Sequence, residues 1–373
     1  MISDRVRMSA YARALEETIR PDSTVLDIGA GTGIMSLLAR KFGARQVIAI
    51  EPSSAIYIAR ELAAANGMSD RIEFIRDVST NVTLPERVDV IVSDLRGVLP
   101  LLQQHLPSIM DARERFLSST GQLIPRRDKL WVALVEAFDV FEELSSCWNS
   151  FDPVVDMAPL QKYLTNLKRK EDFAPDQLLM EPRVWGDLDY TALNSANVAG
   201  EVAAVATRQG VAHGLCLWFE TELTRNVGFS TGPGEPKTIY GMQMLPLSSP
   251  VEVDAGDAIS LKVRADLVDA DYIWQWDTRV SSAGSPARAK AEFKQSTFFG
   301  APPAIDEFRK TAADYVPELN AFVRIDLFIL TCLNTGVSLG NVARQTCAEF
   351  PQQFATWREA LKRVAQVASR YSS

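Results

Sequence analysis

One stretch, Val25-Leu26-Asp27-Ile28-Gly29-Ala30-Gly31-Thr32-Gly33, restricts the fold more than any other part of the chain. An apolar run at 24–28 leads into three glycines, and a helical pattern over 33–42 leads out of them. Glycines at a strand-to-helix turn permit left-handed backbone and leave no Cβ between the turn and a ligand. The alternation then continues. Residues 46–50, 71–76 and 88–93 read as strands, and 53–66 as an alanine-rich helix stopped by Asn66-Gly67. Strands this apolar, separated by helices, imply a parallel sheet covered on both faces. Right-handed crossovers make it a doubly wound α/β domain, Rossmann-like, over residues 1–123.

The rhythm changes at Gly121-Gln122-Leu123-Ile124-Pro125. Alternating segments such as 129–136 and 214–223, separated by turn clusters, predict an antiparallel β-barrel or sandwich over 124–300. A helix-leaning insert at about 145–180 interrupts it. Residues 301–373 read as a small helical module, with helices at 327–333, 337–350 and 354–371. Phe354, Trp357, Leu361 and Val364 share one face of the last of these.

The glycine spacing narrows the ligand. Dinucleotide sites read G-x-G-x-x-G, whereas here the third glycine comes one residue early and Ile34 stands where that pattern needs glycine. G-x-G-x-G after an acidic residue, here Asp27, is the S-adenosylmethionine form, and nicotinamide binding is the weaker alternative. Glu51 follows the second strand about 20 residues later, where an acidic residue takes ribose hydroxyls. Ligands in such sheets bind at strand C-terminal ends, and the turn carrying Ser79 and Thr80 lies at one, Asp94 at another. The expected cofactor contacts are Arg7, Asp27, Gly29, Gly31, Gly33, Glu51, Ser79 and Thr80.

Composition excludes several partners. A net charge of −8 argues against a nucleic-acid ligand, whose binding is driven by basic surface. Four cysteines without C-x-x-C spacing and two histidines predict no metal site. They read as thiols in a reducing cytoplasm. The apolar runs are too short to span a membrane, and the N-terminus lacks a signal-peptide core.

The ordered motifs go further. Met1-Ile2-Ser3-Asp4-Arg5-Val6-Arg7 resembles the M-L-x-D-x-x-R segment of the protein arginine methyltransferase family. Gly43 through Glu51, Leu84-Pro85, and Gly228 through Thr238 also resemble its motifs, in order, across roughly residues 1–275. The resemblance implies a methyltransferase in which Arg7 grips the methionine carboxylate of S-adenosylmethionine. It also implies a β-barrel domain and a dimerisation arm in the 145–180 insert, hence a homodimer.

The departures fall in the acceptor half. The family holds its substrate guanidinium between two glutamates, because a permanent, planar cation needs paired carboxylates to align it and offset its charge. This chain has Asp94 at the first position and uncharged Gln103 at the second, with Arg96 between them. The family's T-H-W loop reads Thr238-Ile239-Tyr240, and Thr80 aligns with its adenine-contacting glutamate. Asp94 and Gln103 are the catalytic candidates, and His105 a further possible base. The expected acceptor is a small-molecule or peptide nucleophile other than ordinary protein arginine. The alternatives are an arginine N-methyltransferase with an altered loop, and a non-catalytic dimer that binds S-adenosylmethionine.

Overall fold

The computed structural model describes residues 1–149, 155–284, 288–301, 310, 313–318 and 320–371. They divide into two compact units, residues 1–302 and 303–373.

The first unit opens with helix α1 (Arg5–Thr18), capped by the Asp4 carboxylate, which accepts the Arg7 N–H. A parallel sheet follows, built from β1 (Thr24–Ile28), β2 (Gln46–Ile50), β3 (Ile72–Ile75), β4 (Val88–Ser93) and β5 (Leu117–Ile124), in the order β3-β2-β1-β4-β5. Helices α2 (Ile34–Lys41), α3 (Ala55–Ala65) and α4 (His105–Phe116) connect the strands. Every residue of β1 is buried, as its unbroken apolar run predicts for a central strand.

Two antiparallel sheets follow. One pairs β6 (Arg127–Val135), β8 (Arg183–Asp189), β10 (Gly210–Glu222) and β12 (Met242–Val253), with short β7 (Arg169–Glu171) and β11 (Gly228–Ser230) on β12 and β10. The other runs β15-β14-β13-β9, from β9 (Val198–Val205), β13 (Ala258–Val268), β14 (Asp271–Ser281) and β15 (Ala289–Ser296). Trp274, Trp276, Tyr190 and Phe219 are fully buried among them. The 145–180 insert carries the end of α5 (Phe138–Asn149), α6 (Pro159–Leu164) and β7; residues 150–154 lie outside the described residues. Part of that insert is therefore strand, because Arg169–Glu171 pairs with Met242–Met244.

In the second unit, helices Ala321–Leu333, Leu339–Glu349 and Trp357–Tyr371 pack around Ile325, Ile329, Val342, Ala360 and Val364. Phe354, Trp357 and Leu361 pack against this core, as their spacing predicts. No helix among the described residues is long and apolar enough to cross a membrane.

Candidate active site

The turn after β1 divides its glycines by task. Gly29, Gly31 and Gly33 all have positive φ, at 71°, 55° and 78°. A Cβ on Gly29 would lie 2.2 Å from Leu95 Cδ2, and one on Gly33 would lie 2.8 Å from Ala59 Cβ, so both are closed by packing. A Cβ on Gly31 would meet nothing nearer than the Gly29 carbonyl oxygen at 4.0 Å. Gly31 thus presents bare backbone to open space, which is what close approach by a ligand requires.

Glu51 stands beside this opening, at the end of β2. Its Oε2 accepts the Gly31 N–H and its Oε1 the Ser53 N–H, each at 2.9 Å. A carboxylate offers about four acceptor positions, so two remain for hydroxyl donors. Ser79 is buried, and its carbonyl accepts from Arg115 Nη2 at 2.8 Å; Thr80 is exposed. These residues fit the S-adenosylmethionine that the glycine spacing predicts: an open glycine turn, with an acidic residue set for ribose.

Asp27 is turned inward. Its Oδ2 accepts both the backbone N–H and the hydroxyl of Ser36, at 3.0 and 2.6 Å, which ties β1 to α2. Burial raises its carboxyl to about 6, against the pull of the Ser36 bonds. A raised carboxyl pKa favours the protonated native state. Its contribution is therefore fully present below the unfolded value near 4 and is lost as pH rises through about 6. Urea unfolding should show up to about 3 kcal/mol of stability lost across that window, at 1.36 kcal/mol per unit. Asp27→Asn should flatten the profile; an unchanged slope would assign the effect to another group.

The acceptor loop begins directly opposite. Ser93, the last residue of β4, pairs with Ile28, so Asp94 emerges beside the glycine turn. Asp94 Oδ2 accepts from Arg7 Nε and from the Tyr240 hydroxyl, the latter at 2.6 Å. Asp94 Oδ1 accepts from Arg96 Nε at 3.0 Å. Burial alone would raise the Asp94 carboxyl; Arg96 and then Arg7 outweigh it and hold the group below the usual carboxylate range. Arg7 Nε also donates to the Tyr240 hydroxyl at 3.2 Å, and its Nη1 to Met8 Sδ at 3.2 Å.

Arg96 is fully buried and joins Asp94 to a second carboxylate. Its Nη1 donates to Asp128 Oδ1 at 3.1 Å and to Thr221 Oγ1 at 2.9 Å. Its Nη2 donates to the Tyr11 hydroxyl at 2.8 Å. The Tyr190 hydroxyl donates to Asp128 Oδ2 at 2.6 Å and lies 3.2 Å from His105 Nε2. Burial pushes the His105 imidazole down to about 3, so it is neutral at ordinary pH. Tyr240 both lines the cluster and packs on Phe219 and Phe229.

Gln103 is placed elsewhere. It is exposed, has φ 44°, and none of the cluster's bonds reaches it. The second carboxylate of the cluster around Arg96 is Asp128, on β6, 34 residues beyond Asp94 in the sequence. Asp128 was missed because it lies in an alternating strand, where a charged residue reads as solvent-facing. The available signal was the charge count: Arg7 and Arg96 are two cations assigned to the same region as one carboxylate, Asp94, and burying both requires a second anion.

Comparisons with known proteins agree with this architecture. Residues 9–150 match the family model described as "Ribosomal protein L11 methyltransferase (PrmA)", and residues 126–282 match "Arginine methyltransferase oligomerization subdomain". The chain is 30% identical over 268 residues to protein arginine N-methyltransferase 1.1 of Arabidopsis thaliana, covering 70% of this chain and 68% of that protein. It is 28% identical over 296 residues to PRMT10 of the same plant, covering 70% and 77%. Among solved structures, Arabidopsis protein arginine methyltransferase 10 superposes with a TM-score of 0.70 at 25% identity, over 79% of this chain and 95% of that one. A Trypanosoma brucei PRMT1 enzyme-prozyme complex with AdoHcy gives 0.73 at 23% identity, over the same shares. With a relative 30% identical over more than two thirds of its own length, and with both halves of the 1–302 unit matched by methyltransferase models, the chain belongs to the protein arginine methyltransferase family of S-adenosylmethionine-dependent enzymes.

Proposed function

We propose that this methyltransferase acts on a guanidinium nitrogen of arginine, in a peptide or free. The observation that carries the reading is the pair Asp94 and Asp128, whose buried side-chain carboxylates already bracket one guanidinium. Such a pair aligns the planar fork and offsets its charge. The relatives are arginine methyltransferases by name, so the sequence-based expectation of a different acceptor becomes the second reading.

S-adenosylmethionine, when bound, supplies an electrophilic methyl group on a sulfonium. The chain's part is placement. Gly31 admits the cofactor backbone-first, Glu51 takes its ribose, and Arg7 its carboxylate. Asp94, held ionised by Arg96 and Arg7, is a weak base; its task is to orient the nucleophile. Gln103 has no task in this scheme.

One observation favours the second reading, a small-molecule or peptide nucleophile without a guanidinium: Asp94 is already neutralised by Arg7 and Arg96. Labelled methyl transfer to an arginine-rich peptide, free arginine and a lysine-substituted peptide separates the two. Label on arginine nitrogen in the first two acceptors alone is the expected result. Label on the lysine peptide, or on none of the three with the cofactor bound, would favour the second.

A homodimer formed through residues 126–282 and working in the cytoplasm completes the proposal. The match to an oligomerization subdomain supports the dimer. Free thiols at Cys216, Cys332 and Cys347 fit a reducing compartment.

A further inference from the structure

The cradle that suits a guanidinium acceptor holds a guanidinium belonging to the chain itself. Arg96 Nε, Nη1 and Nη2 all donate, to Asp94, Asp128, Thr221 and Tyr11. Its Cζ lies 5.1 Å from the Phe219 ring centroid and 5.5 Å from that of Tyr240. Anions at two edges and aromatic rings around the cation are the elements of guanidinium recognition. With Arg7, the cluster holds two cations and two anions, and its formal charge is zero.

That balance restricts what can enter. A second guanidinium added beside Arg96 would leave a buried, uncompensated positive charge, at a cost of several kcal/mol. A guanidinium that replaces the Arg96 head group keeps the charge at zero and inherits the same acceptors. Arg96 sits on a segment outside helix and strand, next to Gly97, whereas Leu99 and Leu101 anchor the loop by burial. The side chain can therefore withdraw while the loop stays seated.

We infer that Arg96 is an intramolecular occupant of the guanidinium cradle between Asp94 and Asp128, and that its head group leaves before a guanidinium acceptor binds. Only the identity of the acceptor rests on the arginine reading above; the cradle does not. Arg96 thereby sets specificity. A displacing ligand has to satisfy both carboxylates with a planar fork, which a point-charge ammonium does not do.

The test uses the full chain with Arg96→Ala and methylguanidinium as the probe. Thermal unfolding midpoints are read against rising methylguanidinium, with methylammonium as the control. The expected result is a saturable rise for the variant with methylguanidinium and none with methylammonium, the unaltered chain needing about tenfold more methylguanidinium for the same rise. The rise should vanish in Arg96→Ala/Asp128→Asn. A variant indifferent to methylguanidinium overturns the proposal. If Arg96→Ala does not fold, Arg96→Met carries the comparison through the KM for an arginine peptide. An occupant that fills the site most of the time weakens apparent affinity in proportion, so KM should fall about tenfold. An unchanged or higher KM overturns the proposal. Rescue by methylguanidinium without any transfer to arginine supports the cradle and rejects the arginine reading alone.

Discussion

Asp128→Ala should lower the unfolding free energy by about 3–5 kcal/mol, the cost of removing one partner from a buried ion pair. The residue is fully buried, and its carboxylate accepts from both Arg96 and Tyr190. Without it, Arg96 and Arg7 share Asp94 alone, and the cluster carries one uncompensated positive charge. Urea unfolding of the two proteins at pH 7 measures the difference. A double-mutant cycle locates it. If the cost arises from the stranded guanidinium, Asp128→Ala/Arg96→Met should recover a large part of the loss, because an apolar side chain in that space leaves no charge unpaired. Additive losses would mean that Asp128 stabilises the fold through Tyr190 alone.

Asp94→Asn should reduce methyl transfer by about 10²- to 10³-fold, the usual cost of deleting one preorganised polar group in a water-excluded site. Two facts support so large an effect for a nearly isosteric change. Asp94 lies at the strand end facing the glycine turn, and it remains ionised because Arg96 and Arg7 outweigh its burial. Cofactor affinity should not weaken, since Arg7 loses a competing carboxylate. Single-turnover rates with a labelled methyl donor and a parallel calorimetric titration separate chemistry from binding. Transfer close to the unaltered rate would remove Asp94 from the reaction. Because the carboxyl is held low, its loss of charge limits activity only below the ordinary carboxylate range.

The donor half of the site was legible from the chain because its parts are local. Val25 through Gly33 forms one turn, and Glu51 follows one strand later, so spacing alone placed them together. Ser79 and Thr80 share a turn, yet one is buried and the other exposed, which spacing does not separate. Asp27 carries the motif's acidic position but braces α2 through Ser36, a contact set by which way one strand residue points.

The acceptor half was legible only in part: Asp94, Arg96 and Tyr240 stood out by their place in the resemblance, but Asp128 did not, because the cluster is gathered from distant segments. Arg7, Asp94, Arg96, Asp128 and Tyr240 come from α1, the loop after β4, the strand β6 and the turn before β12. The resemblance pointed to Gln103 as the second substrate residue, at the position of the family's second glutamate; the fold placed it on the surface. The sequence by itself determined the parallel sheet, the antiparallel domain behind it, and an S-adenosylmethionine turn, since periodicity and glycine spacing act over a few residues. Only the tertiary structure decided which carboxylates face each other, because a buried charge takes its partner from whichever strand packs across from it.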